Sequence, residues 1–175
     1  MSMRFAFPAD AGDKAAAAEA PRGASPVGYL HELPAAELAA VLYLRCWCEG
    51  GPSRDRIAGD FRQMLGEDAA GAALADFDAL VETALRGARR PLMRHGIHCR
   101  CFGGDESAFA NMIAAAVGQD PDDAMLFALT LMSAPAAFEV VRLAGSLSQV
   151  FLRVARHAAR ARSPIGRTPP SSSTH

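Results

Sequence analysis

Two short motifs carry side chains able to hold a metal ion or act as reactive thiols: Cys46-Trp47-Cys48 and His95-Gly96-Ile97-His98-Cys99-Arg100-Cys101. Together they contain all 4 cysteines of the chain and two of its 5 histidines. Thiolate sulfur and imidazole nitrogen are the ligands favoured by zinc, and by iron in sulfur-rich sites.

Spacing separates the two motifs. Cys46 and Cys48 fall in a segment of helical periodicity, where residues two apart are turned about 200° around the axis, so both sulfurs cannot reach one ion. Cys48, at the end of that segment, is the better candidate. Cys99 and Cys101 lie where the helical period breaks, and in an extended backbone alternate residues share a face. The candidate metal set is therefore Cys48, His95, His98, Cys99 and Cys101, with zinc as the expected ion.

The spacing also argues against this set, because neither motif has the paired Cys-x-x-Cys knuckle of established zinc sites. Cysteine is among the most buried residue types even when it bonds nothing, so thiols packed under a loop are the favoured reading and metal comes next. A third reading makes Cys99 or Cys101 a redox-responsive thiol. Arg94, Arg100, the histidines and the start of the following helix would all favour thiolate there.

The elements that must position these residues are helical. Half of the residues are apolar and only 7% are aromatic, with alanine, leucine and arginine prominent, which are strong helix formers. Pro34 starts a helix that runs to Cys48 and stops at Gly50-Gly51-Pro52; its apolar residues leave only a narrow polar strip at Glu37, Arg45 and Glu49. Ser53 is expected to cap a second helix, and a third spans residues 68–89. After the irregular stretch PLMRHGIHCRCFGG, Asp105 is expected to cap a fourth, with Glu106 beside it as a partner for the helix dipole.

Asp120-Pro121-Asp122-Asp123 opens a fifth helix, apolar nearly all round, and residues 135–162 read as one long sixth helix with a near-heptad stripe. The helices at 34–48 and 121–133 are expected to be the interior. The fold class is thus all-α: a compact bundle of about six helices forming one domain over residues 29–162, between a flexible N-terminal arm (1–28) and a disordered tail (163–175).

Charge and motifs restrict function. A net charge of −1 gives no field that would draw in nucleic acid, and no apolar run reaches membrane-spanning length or resembles a secretory signal. The expected location is cytoplasmic, with neither nucleic acid nor membrane as partner. Arginines cluster at 86–100 and again beyond Glu139, and a solvated face is the commoner use of such runs. No phosphate-binding loop, dinucleotide fingerprint, nucleophile elbow or H-E-x-x-H is present. The chain therefore reads as a non-enzymatic regulatory or adaptor protein that contacts another protein or itself. A metal-binding or thiol-redox protein built on the Cys/His cluster is the competing reading.

Overall fold

The computed structural model describes residues 22–162. The expected tail, 163–175, and residues 1–21 of the expected arm lie outside the described residues. What remains of that arm is ordered: a 3-10 turn at Arg22–Ala24 leads into strand β1, Pro26–Tyr29, and a second turn at Leu30–Glu32.

Among the described residues seven α-helices follow, with one further strand between the third and fourth: α1 (Ala35–Glu49), α2 (Pro52–Leu65), α3 (Glu67–Gly87), β2 (Cys101–Gly103), α4 (Gly104–Val117), α5 (Pro121–Leu131), α6 (Ala134–Ser146) and α7 (Ser148–Arg162). The all-α bundle expected from composition is present. The two strands form an antiparallel ribbon in which Tyr29 lies opposite Cys101 and Pro26 opposite Gly103.

Local signals account for most helix ends. Asp120 caps α5 by accepting from Asp123 N–H at 3.0 Å, with Pro121 in the first turn. Gly66, at φ 82°, supplies the left-handed residue between α2 and α3. Ser53, expected to cap α2, is instead inside that helix and buried, because Gly51 and Pro52 already provide the start.

Two larger expectations are corrected. The stretch 135–162 is two helices, broken at Leu147. Leu147 itself keeps helical φ and ψ, and Ser146 Oγ sits 2.8 Å from both Leu143 O and Asp76 Oδ2 on α3, where its single proton can serve one of them. Beyond the break, Phe151 packs against Tyr43 at a 6.1 Å centroid separation.

Helix α1 is interior as expected, but the second interior helix is α4 rather than α5. It packs against α1, α5, α6 and α7 and buries Phe109, Ala110, Met112 and Ile113. Helix α5 buries only Ala124, Ala128 and Leu131 and leaves Leu126 64% exposed, since it lies against α4 and α6 on one side only.

At the other end of the core, Tyr43, Phe61 and Phe77 of α1, α2 and α3 meet edge-on or tilted, with centroids 5.7–6.1 Å apart. Aromatic pairs in this arrangement hold more than their buried area alone predicts. They anchor α1, and with it Arg45, Trp47 and Cys48.

Candidate metal centre

Three of the five candidate ligands come together. One ligand atom each from His95, Cys99 and Cys101 lies within 4.8 Å of the other two. His95 Nδ1 is 3.6 Å from Cys99 Sγ and 3.5 Å from Cys101 Sγ, and the two sulfurs are 2.8 Å apart as free thiols. The expected sharing of one face by Cys99 and Cys101 holds. All three residues are half-buried, and His95 Nε2 is sealed from solvent without a hydrogen-bond partner.

His98 and Cys48 do not join this group. His98 is exposed on the turn closed by Cys99 N–H donating to Gly96 O at 3.0 Å. Cys48 lines a separate small cavity of about 60 Å³ with Leu44, Leu92, Arg94, Asp105 and Phe109. Burial pushes its thiol above the ordinary range, against the opposing pull of Arg94. Cys46 is buried in the core beside Val41, Leu42 and Leu44.

The loop that carries the trio has little regular structure of its own; its shape comes from α1 and α4. Arg45, which the helical pattern assigned to a solvent-facing strip, is completely buried. All five of its N–H groups are used. Nε donates to Glu106 Oε1 at 2.6 Å and Nη2 to Glu106 Oε2 at 2.9 Å. Nη1 donates to Gly96 O at 3.1 Å and Cys99 O at 2.8 Å, and Nη2 also donates to Cys101 O at 2.7 Å.

Glu106, equally buried, completes the hub. Its carboxylate also accepts from His95 N–H at 3.1 Å and Gly103 N–H at 2.9 Å. Two ionised groups out of water are tolerated only when every lone pair and proton is matched, and here they are.

Asp105, one residue earlier, grips the loop from its other end. Arg90 Nη1 and Nη2 each donate to its carboxylate at 2.6 Å, and Met93 N–H adds a third bond at 2.8 Å. Burial raises the Asp105 pKa, but the bonds from Arg90 and Met93 and the Arg90 charge outweigh it and hold the carboxyl below its ordinary value. Asp105 is thus a clamp for residues 90–93 rather than a helix cap; the chain enters α4 through Gly103. Both carboxylates also sit at the positive end of the α4 dipole.

The ribbon borders the loop on another side. Leu30 N–H donates to Arg100 O at 2.8 Å, which fixes the residue between the two cysteines. Gly103 is required by close approach: a Cβ there would stand 2.6 Å from Gly23 O.

The electrostatics differ from expectation at one thiol. Burial, then the hydrogen bond and charge of Cys99, push Cys101 up to about 11, the opposite direction to the thiolate expected from neighbouring arginines. The Arg45 charge does lower it, but its guanidinium points at main-chain oxygens and at Glu106.

Sequence reasoning missed Arg45, Glu106, Arg90 and Asp105 as a positioning network. One signal was available: Gly103-x-x-Glu106 has the spacing at which a third-position glutamate reaches back to the N-terminal backbone of a helix. No protein-family model matches this chain, and neither a curated protein nor a solved structure matches it significantly. Among the described residues no helix is long and apolar enough to cross a membrane.

Proposed function

We propose that the chain is a metal-binding protein that holds a zinc ion between His95 Nδ1, Cys99 Sγ and Cys101 Sγ. The observation that carries this reading is the pair of nitrogen–sulfur distances, 3.6 and 3.5 Å. With Zn–S near 2.3 Å and Zn–N near 2.0–2.1 Å, a tetrahedral ion separates a nitrogen and a sulfur ligand by about 3.5 Å. The sulfurs, 2.8 Å apart, would have to part by about 1 Å to reach the spacing of about 3.8 Å on such an ion.

Charge supports the same reading. Two thiolates neutralise a dication, so a loaded centre adds no net charge to a half-buried site. The cytoplasm, where thiols stay reduced, is the compartment this role requires.

Elemental analysis of protein purified without a metal-affinity column tests the reading. One zinc per chain is expected, lost in His95→Ala, Cys99→Ser and Cys101→Ser and kept in His98→Ala and Cys48→Ala. A metal-free chain that takes up no added zinc overturns it.

A role in protein contacts, favoured on sequence, keeps one supporting observation. Leu126 on α5 and Phe138 on α6, adjacent helices, are 64% and 67% exposed. Loss of self-association or partner capture in a Leu126→Glu, Phe138→Glu variant is its test; a wild-type chain that is monomeric and captures nothing counts against it.

A further inference from the structure

Small zinc sites are commonly staples: without the ion the ligand segments have nothing else to order them, and metal binding is folding. The His95–Cys101 loop is arranged differently. Every ligand-bearing residue in it has a main-chain group held by the same buried pair. Glu106 takes the N–H of His95, and Arg45 takes the C=O of Cys99 and of Cys101, at 3.1, 2.8 and 2.7 Å. Gly96, where the turn to Cys99 begins, is also held by Arg45.

The pair joins α1 to α4, whose packing is central to the bundle. Its bonds to the loop are charge-assisted, roughly twice as strong as neutral ones, and a planar five-donor fork imposes direction as well as strength. Loop shape is therefore set by side chains whose own positions come from the helical core.

We infer that Arg45 and Glu106 are the positioning residues of the metal centre, holding the ligand loop in its binding shape before the ion arrives, so that metal enters and leaves a bundle that stays folded. The inference rests on the metal reading above. It makes the centre a loading site, suited to exchange or sensing of zinc, rather than a staple of the fold.

The test uses the full chain, stripped with a chelator under reducing conditions and then titrated with zinc against a chromophoric competitor. The stripped protein is expected to keep its helical circular dichroism and a single cooperative thermal transition, and to rebind one zinc. Arg45→Lys keeps a positive charge beside Glu106 but replaces the fork with three donors on a flexible stem. It is expected to weaken zinc 10–100-fold and to alter the visible spectrum of cobalt-loaded protein while helix content holds. The double variant Arg45→Met, Glu106→Leu, which removes both charges together, is expected to do the same.

Cooperative loss of helix on stripping overturns the inference. So does zinc affinity and a cobalt spectrum equal to wild type in both variants. A wild-type chain that binds neither metal instead overturns the metal reading itself, and the inference with it.

Discussion

Arg45 and Glu106 face each other through two parallel hydrogen bonds of 2.6 and 2.9 Å, and both side chains are wholly removed from solvent. They lie 61 positions apart in the chain, on the two helices that hold the 95–101 loop. Buried pairs of this kind do not have to stabilise a fold relative to a well-packed apolar alternative, but breaking one leaves an uncompensated charge.

The first prediction follows from that asymmetry. Arg45→Ala or Glu106→Ala alone is expected to cost about 3–5 kcal/mol, whereas Arg45→Met with Glu106→Leu costs far less than the two single changes combined. Urea unfolding of the four proteins, read as a double-mutant cycle, checks it. Additive losses would remove the claim that these two charges act as one unit.

Asp105 gives a pH dependence. Its carboxyl is held below the ordinary value in the folded chain, so the native state binds its proton less readily than the unfolded state. The stability it contributes is fully present above its unfolded pKa near 3.9 and is lost as pH falls through the lower folded value. Metal-free wild-type protein should therefore lose stability steeply below about pH 4. Asp105→Asn should be less stable at pH 7 by about 1–3 kcal/mol and show a shallower acid limb. Thermal melts across pH measure both.

Zinc uptake should depend on pH in the opposite region. Because Cys101 is pushed up to about 11 in the free protein, it is protonated at neutral pH and must release that proton to bind. Apparent affinity is then expected to rise about tenfold per pH unit between pH 7 and 9 from this thiol alone. Competition titrations at several pH values read the slope, and a flat profile would exclude Cys101 as a thiolate ligand.

Packing supplies the fourth prediction. A Cβ on Gly87, the last residue of α3, would collide with the Ala136 methyl of α6, where Ser133 N–H also donates to Gly87 O at 2.9 Å. Gly87→Ala gains about 1 kcal/mol of helix propensity and loses about 1–3 kcal/mol to overpacking, so a net loss is expected. Ala136→Gly in the same chain should relieve the clash. Chemical denaturation of the single and double variants decides, and no relief in the double would place the cost elsewhere.

Much of the architecture was legible because its signals are local. Pro121 after Asp120, Gly66 between α2 and α3, and Gly118 after α4 mark ends that short-range chemistry dictates, and the structure places helix ends there. The break at Leu147 was not legible. Val140, Leu143, Leu147, Val150 and Phe151 continue one apolar stripe across it, and the local pattern holds no sign of Asp76, 70 positions away, which lies beside Ser146 at that point. Helix α5 misled for a related reason: a segment apolar all round predicts burial all round, yet only one side of it meets the bundle.

At the site, residue types and spacing identified His95, Cys99 and Cys101 but could not separate them from His98 and Cys48. That division depends on which way a turn at Gly96 points each side chain. Arg45 was hidden by its own surroundings. On a helix with apolar residues on every side a single arginine looks like the edge that faces water, and only the partner carboxylate on α4 makes its burial affordable.

The ribbon between Pro26–Tyr29 and Cys101–Gly103 sets a schedule for biosynthesis. His95, Cys99 and Cys101 leave the ribosome almost together, but one wall of their loop is a strand made long before and another is Glu106, made just after. A nascent chain that has just exposed its cysteines thus has thiols but no socket. The socket closes once the first turn of α4 has been synthesised and the early strand has folded back across about 75 residues to meet it, a long-range closure that ranks among the slower folding events. The geometry of the trio is then a product of tertiary folding, not of the local sequence around the thiols.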